Sequence, residues 1–461
     1  LLPFKRQTLD WEECGANECT DLEVPLDYAA PEGDTLQIAV VRNRANDADR
    51  RIGSLIINPG GPGGSGVDYV ASGDGIVTSA IATRFDLVGF DPRGVSRSAP
   101  LRCLSSEDAD RFYAYDGSPD TDAEATGALL LGRRFATLCE REAKDVLPFL
   151  GTRDAARDMD ILRAALDEEK LNYIGKSYGT YLGAEYLRQF PETSGRLVLD
   201  GAVDPSLDAD GFARGQATGF QRALESFLAD CARRSDCPLG RDAEAAEAQL
   251  EEFLEELDST PLEVGDRELT QALATLGVLA SFYSTRSWER LRAALADGLD
   301  GDGAGLLALA DFYSDRNADG TYGDNGLDAF YGIACMDRDD PKNVEQTAAL
   351  ATTLTDEVSS IFGAYLAWGN TPCQSWPLEP TLPGQPVAAP GVGPIVVVGT
   401  TRDPATPYEW SQALAEQLEQ GRLITFDGDG HTAYGGASEC VDDAVDAYLI
   451  SGDDPGELDC P

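Results

Sequence analysis

At 461 residues the chain can bury a large core and carry a second lobe beside one catalytic domain. Its 42% apolar and 8% aromatic residues describe a globular protein, not a disordered or fibrous one, and no run of about 18 apolar residues offers a transmembrane span. A net charge of −45 repels phosphates and so excludes general nucleic-acid affinity, while it favours solubility or the attraction of cationic ligands such as free peptide amines.

The opening residues, Leu1-Leu2-Pro3-Phe4-Lys5-Arg6, do not form a signal peptide, so either none exists or it was removed before this numbering begins. Leu36 to Arg42 alternates loosely and reads as an early strand. Ser54 to Asn58 is a short apolar strand that runs into Pro59-Gly60-Gly61-Pro62-Gly63-Gly64, and Phe85 to Phe90 is another, running into Asp91-Pro92-Arg93-Gly94. Apolar runs this short, bounded by Gly and Pro, fit the buried strands of a parallel sheet. Met159, Leu162 and Leu166 recur at helical spacing over 153–167. Leu171 to Ile174 reads as a strand, Tyr178 to Phe190 as a helix stopped by Pro191, and Arg196 to Asp200 as the next strand. This alternation predicts a doubly wound α/β sheet.

From Asp204 to Pro390 the pattern changes to Ala-, Leu- and Glu-rich helical stretches, such as Asp242 to Leu257 and Ser287 to Leu299, without clear strands. The expectation is a catalytic domain built from 1–203 and 391–461 with a helical cap inserted at 204–390, leaving through a proline-rich linker from Pro377 to Pro390. The sheet resumes at Pro394 to Gly399, followed by a helix near 408–420, a strand from Leu423 to Phe426 and a last helix near Cys440 to Leu449. Ten cysteines fall as neighbours, 14/19, 103/139, 231/237, 335/373 and 440/460, with no CxxC and none beside a histidine. An even count at these spacings predicts five local disulfides and an oxidising, extracytoplasmic compartment; nearest-neighbour pairing is the simplest of many connectivities.

The chemistry gathers around Gly175-Lys176-Ser177-Tyr178-Gly179, a Gly-x-Ser-x-Gly between strand and helix. That is the pattern of a nucleophile elbow, where a tight turn exposes the serine hydroxyl above the sheet. A serine hydroxyl attacks poorly until a base takes its proton, and His431 is the only histidine of the chain. Asp403, in the loop after the strand at 395–399, is the expected acid that orients His431. Asp427 and Asp429 are nearer to His431 in sequence but share its own loop and are disfavoured. The order Ser, acid, His, each just past a strand's carboxyl end, is that of α/β-hydrolases. The oxyanion formed on attack needs preorganised N–H donors, expected from Gly61 in the glycine-rich turn and from Tyr178, the residue after the nucleophile. A phosphate-cradling loop is the rival reading of the glycines, but no Gly-Lys-Ser/Thr closes it. No ligand cluster calls for a metal or cofactor.

Asn58-Pro-Gly-Gly-Pro-Gly-Gly-Ser-Gly66, Phe90-Asp-Pro-Arg-Gly-Val-Ser-Arg-Ser98, Gly175-Lys-Ser-Tyr-Gly-Thr-Tyr-Leu-Gly183, Thr401-Arg-Asp-Pro-Ala-Thr-Pro407 and Gly428-Asp-Gly-His431 together resemble the proline iminopeptidase and tripeptidyl aminopeptidase family of α/β-hydrolases. The secreted actinobacterial tripeptidyl aminopeptidases are the nearest branch, and the resemblance spans essentially the whole chain. It implies an α/β-hydrolase fold, with the cap between the sixth and seventh core strands. It also implies a Ser177–Asp403–His431 triad and Gly61 as an oxyanion donor. Proline iminopeptidases usually carry His-Gly-Gly-Pro-Gly; Pro59 stands in place of that histidine, which favours the tripeptidyl branch. The resemblance further implies acidic groups near the cap that hold a substrate's free amine, with Asp200 and Asp204 as candidates. The function expected is a secreted serine exopeptidase acting on peptides with a free N-terminus and releasing tripeptides. An esterase or lipase, a prolyl aminopeptidase, and a binding protein that kept the fold without catalysis are the alternatives.

Overall fold

Residues that alternate along the central strands divide their side chains between two cores, and this decides the layering. In the computed structural model, which describes residues 1–461 except 74, 339–342 and 383, Leu55 and Ile57 face one core while Ile56 faces the other. Val396 and Val398 likewise part from Val397. Strands covered on both faces need unbroken apolar runs, which is why these segments read so clearly from composition.

The strands are β1 (Glu12–Cys14), β2 (Asn17–Pro25), β3 (Thr35–Asn43), β4 (Gly53–Asn58), β5 (Phe85–Phe90), β6 (Leu171–Lys176), β7 (Ser194–Asp200), β8 (Leu262–Val264), β9 (Arg267–Leu269), β10 (Ile395–Arg402), β11 (Gly421–Asp429) and β12 (Leu458–Cys460). Ten form one sheet in the order β1-β2-β3-β5-β4-β6-β7-β10-β11-β12. Pairing is parallel from β5 through β4 to β12 and antiparallel among β1, β2, β3 and β5. Helices Gly66–Ser72, Ser79–Arg84 and Glu439–Ser451 cover one face, and Thr152–Ala165, Tyr178–Gln189 and Tyr408–Gln417 the other. This is the doubly wound, mostly parallel sheet expected of an α/β-hydrolase.

Between β7 and β10 the chain is mainly helical, with Ala209–Ala232, Ala243–Ser259, Gln271–Ser281, Trp288–Leu299, Ala304–Tyr313, Gly326–Asp337 and Val344–Glu357 as the longer helices. Phe220, Phe227, Leu250, Leu279, Leu295 and Phe362 belong to a core of this segment's own. One expectation is corrected: the segment does contain strands, the antiparallel hairpin β8–β9. At three residues each, these strands are too short to show a period. Helices Ser106–Ala114 and Asp122–Ala143, which precede β6, pack on the same segment. Phe112 and Phe135 both lie edge-on to Tyr331, at 5.6 and 5.3 Å between ring centres.

The five neighbouring cysteine pairs are all disulfide-bonded, and no free cysteine remains among the described residues. Over 377–390 the described residues form no helix or strand, with Val387 and Ala389 buried in the core; Pro383 lies outside the described residues. Among the described residues no helix is long and apolar enough to cross a membrane.

Candidate active site

Ser177 follows the last residue of β6 and precedes the first of helix Tyr178–Gln189. Its φ of 55° and ψ of −126° are a conformation that a non-glycine residue holds only when its surroundings impose it. Here the surroundings do. A Cβ on Gly175 would stand 2.2 Å from the Gly179 carbonyl oxygen, so strand and helix meet closer than any side chain allows. The Ser177 N–H donates to the Asp200 carbonyl at 2.9 Å, and the Ser177 carbonyl accepts from the Thr180 N–H and hydroxyl.

Asp403 is the residue after β10, and His431 lies two past β11. The Nδ1 of His431 lies 2.9 and 3.0 Å from the two carboxylate oxygens of Asp403, which is fully buried. Asp403 also accepts from the Ala405, Thr406 and Thr432 N–H groups, so three backbone donors fix the carboxylate before it fixes the imidazole. That leaves His431 Nε2, buried and without a hydrogen-bond partner. Next to Asp200, a Cβ on Gly201 would fall 3.3 Å from His431 Cε1, so the ring sits close above the backbone that receives the Ser177 N–H.

Asp427 and Asp429, the two rival acids, are both turned to Arg402, at 2.8 Å each, and Asp429 also accepts from Ser226. Neither reaches His431. Asp200 and Asp204, the candidate amine anchors, are not among the described residues that line the cavity beside Ser177. Asp200 is fully buried and accepts from the Ala433 and Tyr434 N–H groups, holding the turn that follows His431; burial pushes its carboxyl up, and Lys176 opposes this. Asp204 accepts from Ser206 and Gln417.

The glycine-rich loop after β4 lies against the elbow. A Cβ on Gly60, whose φ is 102°, would stand 2.8 Å from Ser177 Cβ and 3.2 Å from the Tyr178 nitrogen. Gly61, Ser177 and Tyr178 together line a cavity of about 450 Å³. Most of its other wall residues come from the helical segment and from residues 112–131, with Tyr181, Val203, Ala405 and Thr406 from the sheet domain, and they are rich in aromatic side chains such as Tyr113, Tyr283, Phe330, Tyr331 and Trp368. Asp116, Asp315, Asp324 and Asp337 also line it, with Arg338 the one cation among the described lining residues. Burial pushes Asp116 up to about 6 and Asp337 up to about 7, and raises Asp324 as well.

Sequence reasoning missed Tyr283. Its carbonyl accepts the His431 N–H at 3.0 Å and its ring meets the imidazole edge-on at 5.1 Å, so the helical segment itself braces the histidine. No local signal in the sequence marks that residue. Among the described residues, no group of acidic, histidine or cysteine side chains has the arrangement of a metal site.

Comparison with known proteins gives the family. The family described as TAP-like protein matches residues 359–460, the stretch that carries Asp403 and His431. The chain is 38% identical over 480 aligned positions to serine protease Hip1 of Mycobacterium tuberculosis, covering 98% of this chain and 91% of that one. It is 39% identical over 454 positions to carboxylesterase B of the same species, covering 96% and 86%. It is 33% identical over 466 positions to the tripeptidyl aminopeptidase of Streptomyces lividans, covering 97% and 85%. The chain therefore belongs to the family of α/β-hydrolase enzymes that includes mycobacterial Hip1 and the streptomycete tripeptidyl aminopeptidases.

Proposed function

We propose that this protein is an extracytoplasmic serine exopeptidase that releases short N-terminal peptides, tripeptides foremost, through Ser177, His431 and Asp403. The observation that carries the reading is a strained serine at the wall of a cavity roofed by helices and lined by Asp116, Asp315, Asp324 and Asp337. Segment 204–390, joined by the helices packed on it from 106–143, acts as the cap. In the reaction, Ser177 Oγ attacks the scissile carbonyl carbon while His431 Nε2 takes its proton. Asp403 keeps the proton on Nδ1 and stabilises the imidazolium, and the Gly61 and Tyr178 N–H groups receive the oxyanion. His431 then gives its proton to the leaving amine, and water repeats the cycle on the acyl-enzyme.

Homologues named serine protease and tripeptidyl aminopeptidase support the peptidase reading. Five disulfides support an oxidising compartment. A relative named carboxylesterase B favours a second reading, ester hydrolysis, since acyl-transfer machinery does not by itself distinguish ester from amide. A panel of chromogenic aminoacyl, tripeptidyl and short-chain ester substrates tests the two. Faster cleavage of the tripeptidyl anilides is the expected result, and hydrolysis of esters alone selects the second reading.

A further inference from the structure

Asp337 is the last residue of helix Gly326–Asp337, at the cavity wall, yet it is only 2% exposed. Both its oxygens are spent on one residue. Oδ1 accepts the Thr152 N–H at 2.8 Å, and Oδ2 accepts the Thr152 hydroxyl at 2.6 Å. Thr152 opens helix Thr152–Ala165, whose N-cap, Gly151, has no side chain to offer, so Asp337 caps that helix from another part of the chain. Since the Thr152 hydroxyl proton goes to Asp337, its oxygen is left to accept from the hydroxyl of Tyr178, to which it is closely bonded. The bonds therefore run one way, Tyr178 O–H to Thr152 O–H to Asp337 carboxylate. They link the cavity wall to the residue that follows the nucleophile.

We propose that Asp337 and Thr152 form a relay that positions Tyr178, and through it the oxyanion-binding N–H, only while Asp337 is ionised. This rests on the reading of Ser177 as nucleophile and of the Tyr178 N–H as oxyanion donor. A protonated Asp337 becomes a donor to Thr152, the chain reverses, and the Tyr178 hydroxyl is left buried without its acceptor. Among the described residues no cation forms an ion pair with Asp337. The described groups that face it are Thr152 from one helix, Tyr178, Tyr181 and Glu185 from a second, and Arg338 from its own end. Arg338 favours the carboxylate and Glu185 opposes it, while burial, the largest influence, pushes Asp337 up to about 7. The switch thus falls inside the range where the enzyme works if His431 is its base.

The test is the rate at which a neutral fluorophosphonate phosphonylates Ser177, followed from pH 5.5 to 8.5. A neutral probe keeps the charge of Asp337 from acting on a substrate ammonium. Asp337→Asn mimics the protonated state at every pH. It should slow the reaction about 10-fold or more at pH 8.5 but no more than about 2-fold at pH 5.5. Thr152→Val should be slow at high pH too, with Thr152→Ser restoring most of the rate, and Asp337→Asn should add little in the Thr152→Val background. Should Asp337→Asn not fold, Thr152→Val against Thr152→Ser decides alone. A wild-type rate in these variants, or a loss equal at all pH values, would overturn the relay while leaving Ser177 as nucleophile. A wild-type enzyme unlabelled at Ser177 would overturn both readings together.

Discussion

Single residues in this site are held by more partners than their chemistry strictly needs. Asp403 takes three backbone N–H groups besides the imidazole, whereas Asp427 and Asp429 serve Arg402. Asp403→Asn should therefore lower kcat about 10⁴-fold by favouring the wrong imidazole tautomer, while Asp427→Asn and Asp429→Asn stay within about 3-fold. Steady-state kinetics on one anilide substrate checks all three, and equal losses at Asp429 and Asp403 would reassign the acid. Asp337 supports a stability prediction as well. Its carboxyl is raised to about 7 in the folded chain from an ordinary value near 4 in the unfolded one, so the folded state binds the extra proton between those pH values. That contribution is complete at low pH and lost as pH rises through 7. Wild type should lose more stability than Asp337→Asn between pH 5 and pH 8, by up to about 2.5 kcal/mol, read from urea unfolding at the two pH values.

Among elements, the junction of β6 with the helix that follows it leaves no room for a side chain. A Cβ on Gly175 would meet the Gly179 carbonyl at 2.2 Å, and backbone cannot swing aside as a flexible side chain would. Gly175→Ala should cost about 3 kcal/mol or more in urea unfolding, and activity should fall further than stability explains because the elbow itself must shift. The helical segment reaches the histidine through Tyr283, whose ring and carbonyl both touch His431. Replacing Tyr283 by Phe keeps both contacts and should leave kcat within about 3-fold, while Tyr283→Ala should lower it about 10-fold or more through loss of orientation. Equal effects of the two substitutions would mean that the ring does not brace His431.

Over the whole molecule, the cavity lies where the carboxyl ends of the central strands meet the helical segment. A substrate ammonium inside it would be costly to bury unpaired, and the aspartates of the wall can meet it. N-acetylation removes that charge and leaves a carboxylate unmatched, at a cost of about 2–5 kcal/mol, or roughly 30- to several-thousand-fold in kcat/KM. A tripeptidyl anilide with a free amine should be cleaved well and its acetylated twin poorly. Equal rates would exclude an exopeptidase while leaving the serine mechanism in place. The Cys103–Cys139 and Cys335–Cys373 disulfides, spanning 36 and 38 residues, close the longest covalent loops and tie down the walls of the cavity. Removing either pair should cost about 3–4 kcal/mol on the chain-entropy account, measured by denaturant unfolding of the paired Cys→Ser variants.

Legibility in the sequence follows from how local each determinant is. Strands buried on both faces announce themselves as unbroken apolar runs, so β4, β5, β6, β7 and β10 were readable nearly to their ends. β2, half-exposed and broken by charge, and β12, three residues long, were not, because pairing with a neighbour makes them strands. The same holds at the site. Ser177, Asp403 and His431 stand where strand ends meet motif residues, and a single histidine left one choice of base. The sequence by itself thus determined the α/β sheet and the chain order of the site, since each rests on composition or on neighbours along the chain, while it left the cysteine connectivity to the structure. Only the tertiary structure decided which aspartate orients His431, which aspartates line the cavity, that Tyr283 braces the imidazole and that Asp337 reaches Thr152 across 185 positions. Those contacts join residues far apart in sequence, and long-range packing alone brings them within hydrogen-bonding distance.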